Sequence, residues 1–267
     1  MTGSPADRIG SRMQALIAFA QELAAAARAE TLSRWTSGCA AEDKDGVAYD
    51  PVTEADREAE RVMREMIRTR FPEHGICGEE GGDEPGSSRW SWSLDPVDGT
   101  RSFICRLPTW TTLIALLDEG APVMGVIDAP ALDETYIGRM DDAWMLRAGE
   151  RTPLRSSGCT ALADARLSTT DPFLLDDPAA FDEVRRAARV TRYGHDGYAY
   201  ARLAGGSIDL VIESGLKPHD YNALIPVIRG AGGHIGDWRG GTDFVAGQVI
   251  AAATRELYDS AVKFFSA

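Results

Sequence analysis

The sequence predicts an α/β to α+β protein made of two packed halves. Two amphipathic helical patterns come first, from Arg8 to Arg34 and from Glu54 to Arg70. Short apolar segments that are typical of strands then alternate with turns from Trp90 to Leu146. Helix-like and strand-like segments mix after Arg151. We therefore expect an α+β half over residues 1–150 and an α/β half over residues 151–267.

Each element is predicted from its local pattern. The second helix has an apolar stripe of period near 3.6 and ends before Pro72, and residues 75–88 are expected to form a loop. The predicted strands of the first half are Trp90 to Leu94, Thr111 to Leu117, Val123 to Ile127, Tyr136 to Met140 and Ala143 to Leu146. Those of the second half are Leu167 to Thr169, Arg189 to Tyr193, Ile208 to Ile212 and Gln248 to Ala252. The remaining predicted helices are Phe181 to Ala188, Gly197 to Ala204, Asp220 to Ala231 and Arg255 to Phe264.

Composition limits the class of function. The net charge is −13 and no basic stripe is visible, which argues against a nucleic-acid binder. No apolar run is long enough for a membrane span, and no signal peptide is evident, so we expect a cytoplasmic protein. The four widely spaced cysteines are typical of reduced thiols. If an acidic protein binds a phosphate, bound divalent cations are a direct way to reverse the local charge.

The turn from Asp95 to Thr100 is the first candidate for chemistry. It follows a predicted strand and places Asp95 and Asp98 three positions apart, with Pro96 and Gly99 shaping the backbone. Carboxylate and carbonyl oxygens are the ligands that Mg²⁺ prefers, and free amides at a turn can meet a phosphate. Asp-Pro and Asp-Gly are also ordinary turn dipeptides, so the turn alone would not establish a site.

Three further acidic segments accompany the turn. Glu79 lies in a glycine-rich segment, Gly78 to Gly82, that by itself is typical of a solvated loop. Asp56 follows Thr53 by three residues, which is a variant of the helix capping box. Asp220 precedes an apolar helical segment, where an aspartate often caps the helix. Each of these structural explanations is compatible with a second role at a site.

Taken together and in this order, these segments resemble the inositol monophosphatase family of Mg²⁺-dependent, Li⁺-sensitive phosphatases. The likeness extends from Lys44 to about Gly233 and includes two signatures, Trp92 to Thr100 and the aspartate-led helix that ends in Gly230 to Gly233. The resemblance implies a layered αβαβα sandwich, a small phosphorylated metabolite as substrate, and a homodimer. It implies no nucleic-acid or membrane partner.

The resemblance also implies a role for each acidic residue. Glu79, Asp95 and the Val97 carbonyl would hold a first Mg²⁺, and Asp95, Asp98 and Asp220 a second, with Glu79 helping a third, weaker ion. Thr100, paired with Asp56, and Glu79 would orient and deprotonate the attacking water. Asp98 and the amides of Gly99 and Thr100 would bind the phosphate. Attack would be in line, without a phospho-enzyme.

Within the family the closest similarity is to bacterial histidinol-phosphatases. It lies in the segments Leu107 to Leu116, Ala129 to Leu132 and Glu213 to Tyr221. Inositol-type members usually carry Trp before the last metal aspartate, whereas this chain carries His219. Glu213 and Asp196 are therefore expected to contact the non-phosphate end of L-histidinol phosphate, whose ammonium group a carboxylate would attract. Asp196 is equally compatible with a turn residue.

Three alternatives remain at this point. The protein could be an inositol-1-monophosphatase or a broad small-molecule phosphatase of the same family. A haloacid-dehalogenase type of phosphatase is disfavoured, since the two aspartates are separated by two residues and lie a third of the way along the chain. A catalytically silent regulatory member would be expected to have lost a metal ligand, yet all four acidic ligands are present.

Overall fold

A computed structural model of the protein describes residues 5–38, 40–43 and 51–265. Lys44, where the family likeness begins, lies outside these residues, as do Asp50 and Cys39. The helices are α1 (Pro5–Ser37), α2 (Glu54–Arg70), α3 (Thr100–Ile104), α4 (Pro178–Ala187), α5 (Asp196–Ala204), α6 (Pro218–Tyr221), α7 (Leu224–Gly230) and α8 (Arg255–Val262). Within the described residues, no helix is long and apolar enough to cross a membrane.

The strands form three sheets. A small hairpin joins β1 (Ala41–Asp43) and β2 (Pro51–Thr53). An eight-stranded sheet contains β3 (Gly75–Gly78), β4 (Gly82–Glu84), β5 (Trp90–Asp98), β6 (Thr111–Asp118), β7 (Ala121–Ala129), β8 (Glu134–Arg139), β9 (Asp142–Arg147) and β10 (Glu150–Pro153). A five-stranded sheet contains β11 (Arg166–Thr169), β12 (Val190–Tyr193), β13 (Leu210–Glu213), β14 (His234–Gly236) and β15 (Val249–Ala252).

Strand order differs between the two large sheets. The eight-stranded sheet has the order β10-β9-β8-β7-β6-β5-β3-β4, and its pairs are antiparallel except for the parallel pair β3–β5. The five-stranded sheet has the order β12-β11-β13-β15-β14, with β11 parallel to both of its neighbours. The parallel pair β3–β5 matters most for function, because the ends of both strands carry predicted site residues.

Three apolar cores separate five layers. One core packs α1 and α2 against one face of the eight-stranded sheet, with Trp92 and Ile114 buried in it. The middle core joins the opposite face to α5, α7 and the five-stranded sheet, and Leu113 and Ala115 belong to it. The third core packs α4 and α8 on the outer face of the five-stranded sheet. Because side chains alternate along a strand, β6 serves two cores, and the αβαβα sandwich is confirmed.

Two glycines allow the middle layer to pack closely. A Cβ at Gly125 of β7 would lie 2.0 Å from the carbonyl oxygen of Ala223, and one at Gly138 of β8 would lie 2.3 Å from the Cα of Val227. The backbone of α7 and the residue before it therefore rests directly on the sheet. The two predicted halves share the middle core, and their division at residue 150 stays a prediction.

Most predicted elements are found, and two expectations were wrong. Residues 75–88 are not simply a loop, because they contain β3 and β4, whose partners lie in other segments. The single helix expected from Asp220 to Ala231 is divided into α6 and α7. Pro226 has no amide hydrogen to bond the carbonyl of Asn222. The helical hydrogen bonding is therefore interrupted at Asn222, and α7 begins two residues later at Leu224. The capping box at α2 is confirmed, with Thr53 and Asp56 as its two members.

Candidate active site

The turn at the end of β5 is shaped by one glycine. Gly99 has φ +82°, in the left-handed region, and α3 begins at the next residue, Thr100. A Cβ at Gly99 would also lie 2.8 Å from Oδ2 of Asp196. Both the backbone conformation and this close approach explain why glycine occupies the position. The turn thereby brings Asp98 and Asp196, which come from different halves of the chain, to one place.

Sheet register places Glu79 beside Asp95. Gly78 of β3 pairs with Leu94 of β5 in parallel register, and the Glu79 amide donates to the Leu94 carbonyl at 3.2 Å. Asp95 is 2% exposed, and its Oδ1 is buried without a hydrogen-bond partner among the described residues. Burial, followed by the charges of Glu79 and two further aspartates, raises the pKa of Asp95 well above its usual range. An unpartnered buried carboxylate oxygen is costly unless something binds it.

Those two further aspartates are Asp98 and Asp220. Oδ2 of Asp98 accepts hydrogen bonds from the Thr111 hydroxyl and from the Gly197 amide, each at 2.7 Å. Oδ2 of Asp220 accepts from the Lys217 amide at 2.6 Å. Burial is the main cause that raises the pKa of both carboxyl groups. The structure therefore brings the four predicted acidic ligands into one electrostatic environment.

The donor set suits a hard cation. No ion pair between described residues joins Asp95 or Asp98 to a lysine or arginine. Among the described residues, no group of three or more His, Cys, Asp or Glu side chains is placed so that it could hold a metal ion without rearrangement. Desolvated carboxylates of like charge favour a cation between them, and their oxygens are the ligands preferred by Mg²⁺. The free Oδ1 of Asp95 is consistent with such binding.

Two of the residues expected to orient the attacking water are Asp56, in the first turn of α2, and Thr100, at the end of the Asp95–Thr100 turn. Oδ2 of Asp56 accepts from the amide and the hydroxyl of Thr53, and burial raises the pKa of Asp56 to about 7. The Thr100 hydroxyl donates to the Val97 carbonyl at 3.0 Å. The pairing of Thr100 with Asp56 therefore stays a prediction. Ala55 and Val97 pack in one small core, which fixes the start of α2 against the turn.

Sequence reasoning missed a buried ion pair that supports the Glu79 loop. Glu60 of α2 accepts from the amides of Glu80 and Gly81 at 2.9 and 2.7 Å and from Nε of Arg64 at 2.7 Å. The Arg64 guanidinium also donates to the Gly82 carbonyl. Glu60 and Arg64 are four residues apart on a helix, a spacing that usually indicates a surface pair. Here both are buried, and only the tertiary structure reveals their position.

A cavity of about 190 Å³ opens beside the acidic cluster. Glu213, at the end of β13, lines it and is 5% exposed. Its Oε1 accepts from the amide and the hydroxyl of Thr170 at 2.7 and 2.9 Å. Burial is the main cause that raises the pKa of Glu213 to about 8. The remaining polar lining includes Asp98, Asp196 and Asp220, so the cavity adjoins the acidic cluster.

Asp196 begins α5 with φ +46°, an unusual conformation for a residue other than glycine. Its Oδ2 accepts from the Ser102 hydroxyl at 3.2 Å, and burial raises its pKa to about 6. It is thus both the residue that starts the helix and a wall of the cavity. Gly197 and Tyr200 of α5 are among the cavity residues that were missed from the sequence, because nothing in a helical pattern shows which of its members face a site.

Comparison with known proteins places this architecture in a family. The sequence model described as "Inositol monophosphatase family" matches residues 12–266. The chain belongs to this family. Its members are phosphatases, and the predicted resemblance is confirmed.

Individual inositol monophosphatase relatives agree with this. A solved inositol monophosphatase from Zymomonas mobilis has a TM-score of 0.82 and 36% sequence identity, with 95% of this chain and 98% of that chain covered. The chain is 49% identical over 202 residues to "Bifunctional phosphatase IMPL2, chloroplastic" of Arabidopsis thaliana, covering 74% of this chain but only 57% of that protein. It is 35% identical to a "Histidinol-phosphatase" of Chlorobaculum parvum, covering 78% and 80% of the two chains.

Proposed function

We propose that the protein is a Mg²⁺-dependent phosphomonoesterase that hydrolyses L-histidinol phosphate to L-histidinol and phosphate. The observation that carries the proposal is a cavity with two acidic parts. One part is Asp98 and Asp220, which line the cavity and belong to the acidic cluster with Glu79 and Asp95. The other is Glu213 with Asp196, which line the same cavity, Asp196 lying next to the turn that carries Asp98. The first suits metal-assisted phosphate chemistry, and the second suits a cationic alcohol group.

The metal ligands follow from the cluster. Glu79, Asp95, Asp98, Asp220 and the Val97 carbonyl would hold two or three Mg²⁺ ions, and Li⁺ would inhibit by competing for them. The unpartnered Oδ1 of Asp95 supports this assignment. When bound, Mg²⁺ would acidify the attacking water, neutralise phosphoryl charge and stabilise the leaving alkoxide.

The chain's own residues would orient the reactants. Glu79 and Thr100, with Asp56 behind them, would position the water and accept its proton. The amides of Gly99 and Thr100, at the start of α3, would bind phosphate oxygens next to Asp98. Holding the water and the phosphorus in line removes much of the entropic part of the barrier.

The ammonium group of L-histidinol phosphate favours this substrate over neutral alcohols. Glu213 has a raised pKa when the cavity holds no cation, because its carboxylate is buried. An ammonium group beside it would lower that pKa and favour the ionised form. Charge attraction would thus be gained specifically with a cationic substrate. Two relatives whose names are histidinol-phosphatase, from Chlorobaculum parvum and Mycobacterium tuberculosis, support this choice.

Inositol 1-phosphate is the second candidate. It is favoured by the similarity to the Zymomonas mobilis structure, which is described as an inositol monophosphatase. His219, which lies where inositol-type members usually have Trp, argues against it. His219 Nε2 lies 3.5 Å from Oδ1 of Asp220, so the difference is next to a proposed metal ligand.

Side-by-side kinetics would test the assignment. Phosphate release with Mg²⁺ would be measured from L-histidinol phosphate, inositol 1-phosphate and several sugar phosphates, and we expect the highest kcat/KM for the first. A preference for inositol 1-phosphate of more than about tenfold, or 1.4 kcal/mol in transition-state binding, would overturn the substrate assignment. If no phosphomonoester is hydrolysed, the enzymatic proposal itself fails.

A homodimer and a cytoplasmic location complete the proposal. The homodimer follows from the family resemblance, and the cytoplasmic location follows from the four widely spaced cysteines, which are typical of reduced thiols. Light scattering of the purified protein would give twice the mass of one 28.8 kDa chain if the protein is a dimer.

A further inference from the structure

Tyr200 has a buried hydroxyl group that the proposed mechanism does not use. The residue lies on α5, is 2% exposed, and packs its ring in the middle core. It also lines the cavity beside the acidic cluster. Its hydroxyl has no hydrogen-bond partner among the described residues.

Three other buried or half-buried tyrosine hydroxyls among the described residues do have partners. Tyr136 and Tyr198 donate to Oε2 of Glu134 at 2.6 and 3.0 Å, and Tyr258 donates to the Asp237 carbonyl at 2.6 Å. Leaving a buried hydroxyl unpaired costs about 1–3 kcal/mol. Tyr200 therefore carries a stability cost in its free state, which is typical of a group that is paired only when a ligand binds.

The surroundings of the hydroxyl indicate which part of a ligand it would meet. Glu213, Asp98 and Asp220 line the same cavity as Tyr200. Burial raises the pKa of Tyr200 well above its usual range, and the charges of these three carboxylates add to the effect. Glu213 belongs to the alcohol end of the cavity and Asp98 and Asp220 to the phosphate end. Tyr200 thus lines the cavity together with residues of both ends. A neutral phenol there can donate and accept, unlike the carboxylates around it.

We propose that Tyr200 is a specificity-determining residue whose hydroxyl hydrogen-bonds the polar group next to the ester carbon of the substrate's alcohol part. The inference rests on the proposed function, since it assumes a phosphomonoester in this cavity. In L-histidinol phosphate that polar group is the ammonium, which would donate to the tyrosine Oη while its charge is balanced by Glu213. In inositol 1-phosphate it would be the neighbouring hydroxyl.

Tyr200→Phe removes the hydroxyl and keeps the ring. Tyr198→Phe on the same helix is the matched control, because its hydroxyl already has a partner away from the cavity. Two substrates would be compared with Mg²⁺ present. L-Histidinol phosphate carries the ammonium group, and propyl phosphate has the same three-carbon ester chain without a polar substituent.

We expect Tyr200→Phe to lower kcat/KM for L-histidinol phosphate roughly 10- to 100-fold, as for a lost hydrogen bond to a charged group. For propyl phosphate the change should be less than about threefold, since no such bond exists to lose. The Tm of Tyr200→Phe should stay the same or rise. Tyr198→Phe should instead lower Tm by about 2–4 °C and leave the ratio of the two kcat/KM values unchanged.

Equal losses on both substrates, or no loss on either, would refute the specificity role. A Tm that falls as in Tyr198→Phe would show that the hydroxyl has a structural partner. Both outcomes leave wild-type activity intact, whereas failure of the proposed function is seen as wild-type protein that hydrolyses neither substrate. If the wild type prefers inositol 1-phosphate, the same comparison applies with that ester, because its adjacent hydroxyl takes the place of the ammonium.

Discussion

The two sides of the cavity are built in different ways. We call Glu79, Asp95 and Asp98 the sheet wall, because they follow β3 or belong to β5 and are positioned by strand pairing. Of these three, Asp98 lines the cavity, and Glu79 and Asp95 belong to the acidic cluster that adjoins it. We call Thr170, Asp196 and Glu213 the loop wall, because they follow β11, start α5 and end β13, where connections begin or end. Beside the loop wall, Phe173 is 91% exposed, whereas Asp95 of the sheet wall is 2% exposed.

This difference suggests that the sheet wall supports the reaction and the loop wall selects the substrate. Hydrogen-bonded strands hold the sheet wall to fixed spacings, which metal binding and in-line attack require. Side chains on connections can change without disturbing the sheet, which suits the selection of one alcohol group among many. Changes in the sheet wall should therefore affect all substrates alike, and changes in the loop wall should affect them selectively.

The largest effect is expected from Asp98→Asn in the sheet wall. The amide oxygen of Asn can still accept from Thr111 and Gly197, so the fold should persist. The negative charge that would bind a metal ion is lost. We expect kcat/KM to fall more than about a thousand-fold for every substrate, since metal charge and alignment are both affected. Phosphate release and thermal unfolding would be measured together.

Asp128→Asn is a matched control, because Asp128 is a buried carboxylate that is paired with Arg28 away from the cavity. It should lower Tm and leave the kcat of the folded protein unchanged. Near-wild-type activity in Asp98→Asn would show that the metal assignment is wrong.

A smaller effect is expected from Glu60→Gln, which weakens the support of the sheet wall. The change leaves the buried Arg64 without its buried negative partner and disturbs the amides of Glu80 and Gly81. Outer-shell changes of this kind cost about 10–100-fold in metal affinity, so the Mg²⁺ concentration for half-maximal activity should rise by that factor. A Mg²⁺ titration of initial rates would measure it.

The same substitution at Glu58 is the control. Glu58 pairs with Arg61 at 2.9 Å on the solvent side of α2, and such pairs contribute little to stability. Glu58→Gln should leave the Mg²⁺ titration unchanged. If both variants behave alike, the buried pair has no role in holding the Glu79 loop.

The smallest effect is expected from Glu213→Gln in the loop wall, and it should be selective. We expect about a tenfold loss of kcat/KM for L-histidinol phosphate, because attraction to its ammonium is lost, and little change for propyl phosphate. A similar loss on both substrates would contradict the division between the two walls.

The pH dependence of stability gives this variant a second measurement. The folded pKa of Glu213 is raised to about 8, so the folded state holds a proton that the unfolded state releases near its ordinary pKa of 4.5. Wild-type stability should therefore decline as pH rises from about 4.5 to 8. Gln does not titrate, so the Tm advantage of Glu213→Gln should grow over that window and be absent near pH 4.5.

Local patterns were enough to predict much of the fold. The bounds of α2 follow from its apolar stripe, its capping box and Pro72, all of which lie within the helix or directly beside its ends. The strands around Asp95 follow from alternating apolar residues. The strands β3 and β4 were missed, because they are short, glycine-rich and stabilised by partners elsewhere in the chain.

The candidate site was likewise predicted in part from local motifs and in part decided by the tertiary structure. Residue order alone was sufficient to nominate Glu79, Asp95, Asp98 and Asp220, since each lies in a recognisable local motif. Their meeting required the fold, because parallel pairing sets Glu79 beside Asp95 and the amide of Gly197 holds Asp98 from 99 positions away. Tyr200 had no local signal at all. The reason to consider its hydroxyl is that it is buried without a hydrogen-bond partner among the described residues. Burial depends on how the whole chain packs, so a local pattern does not predict it.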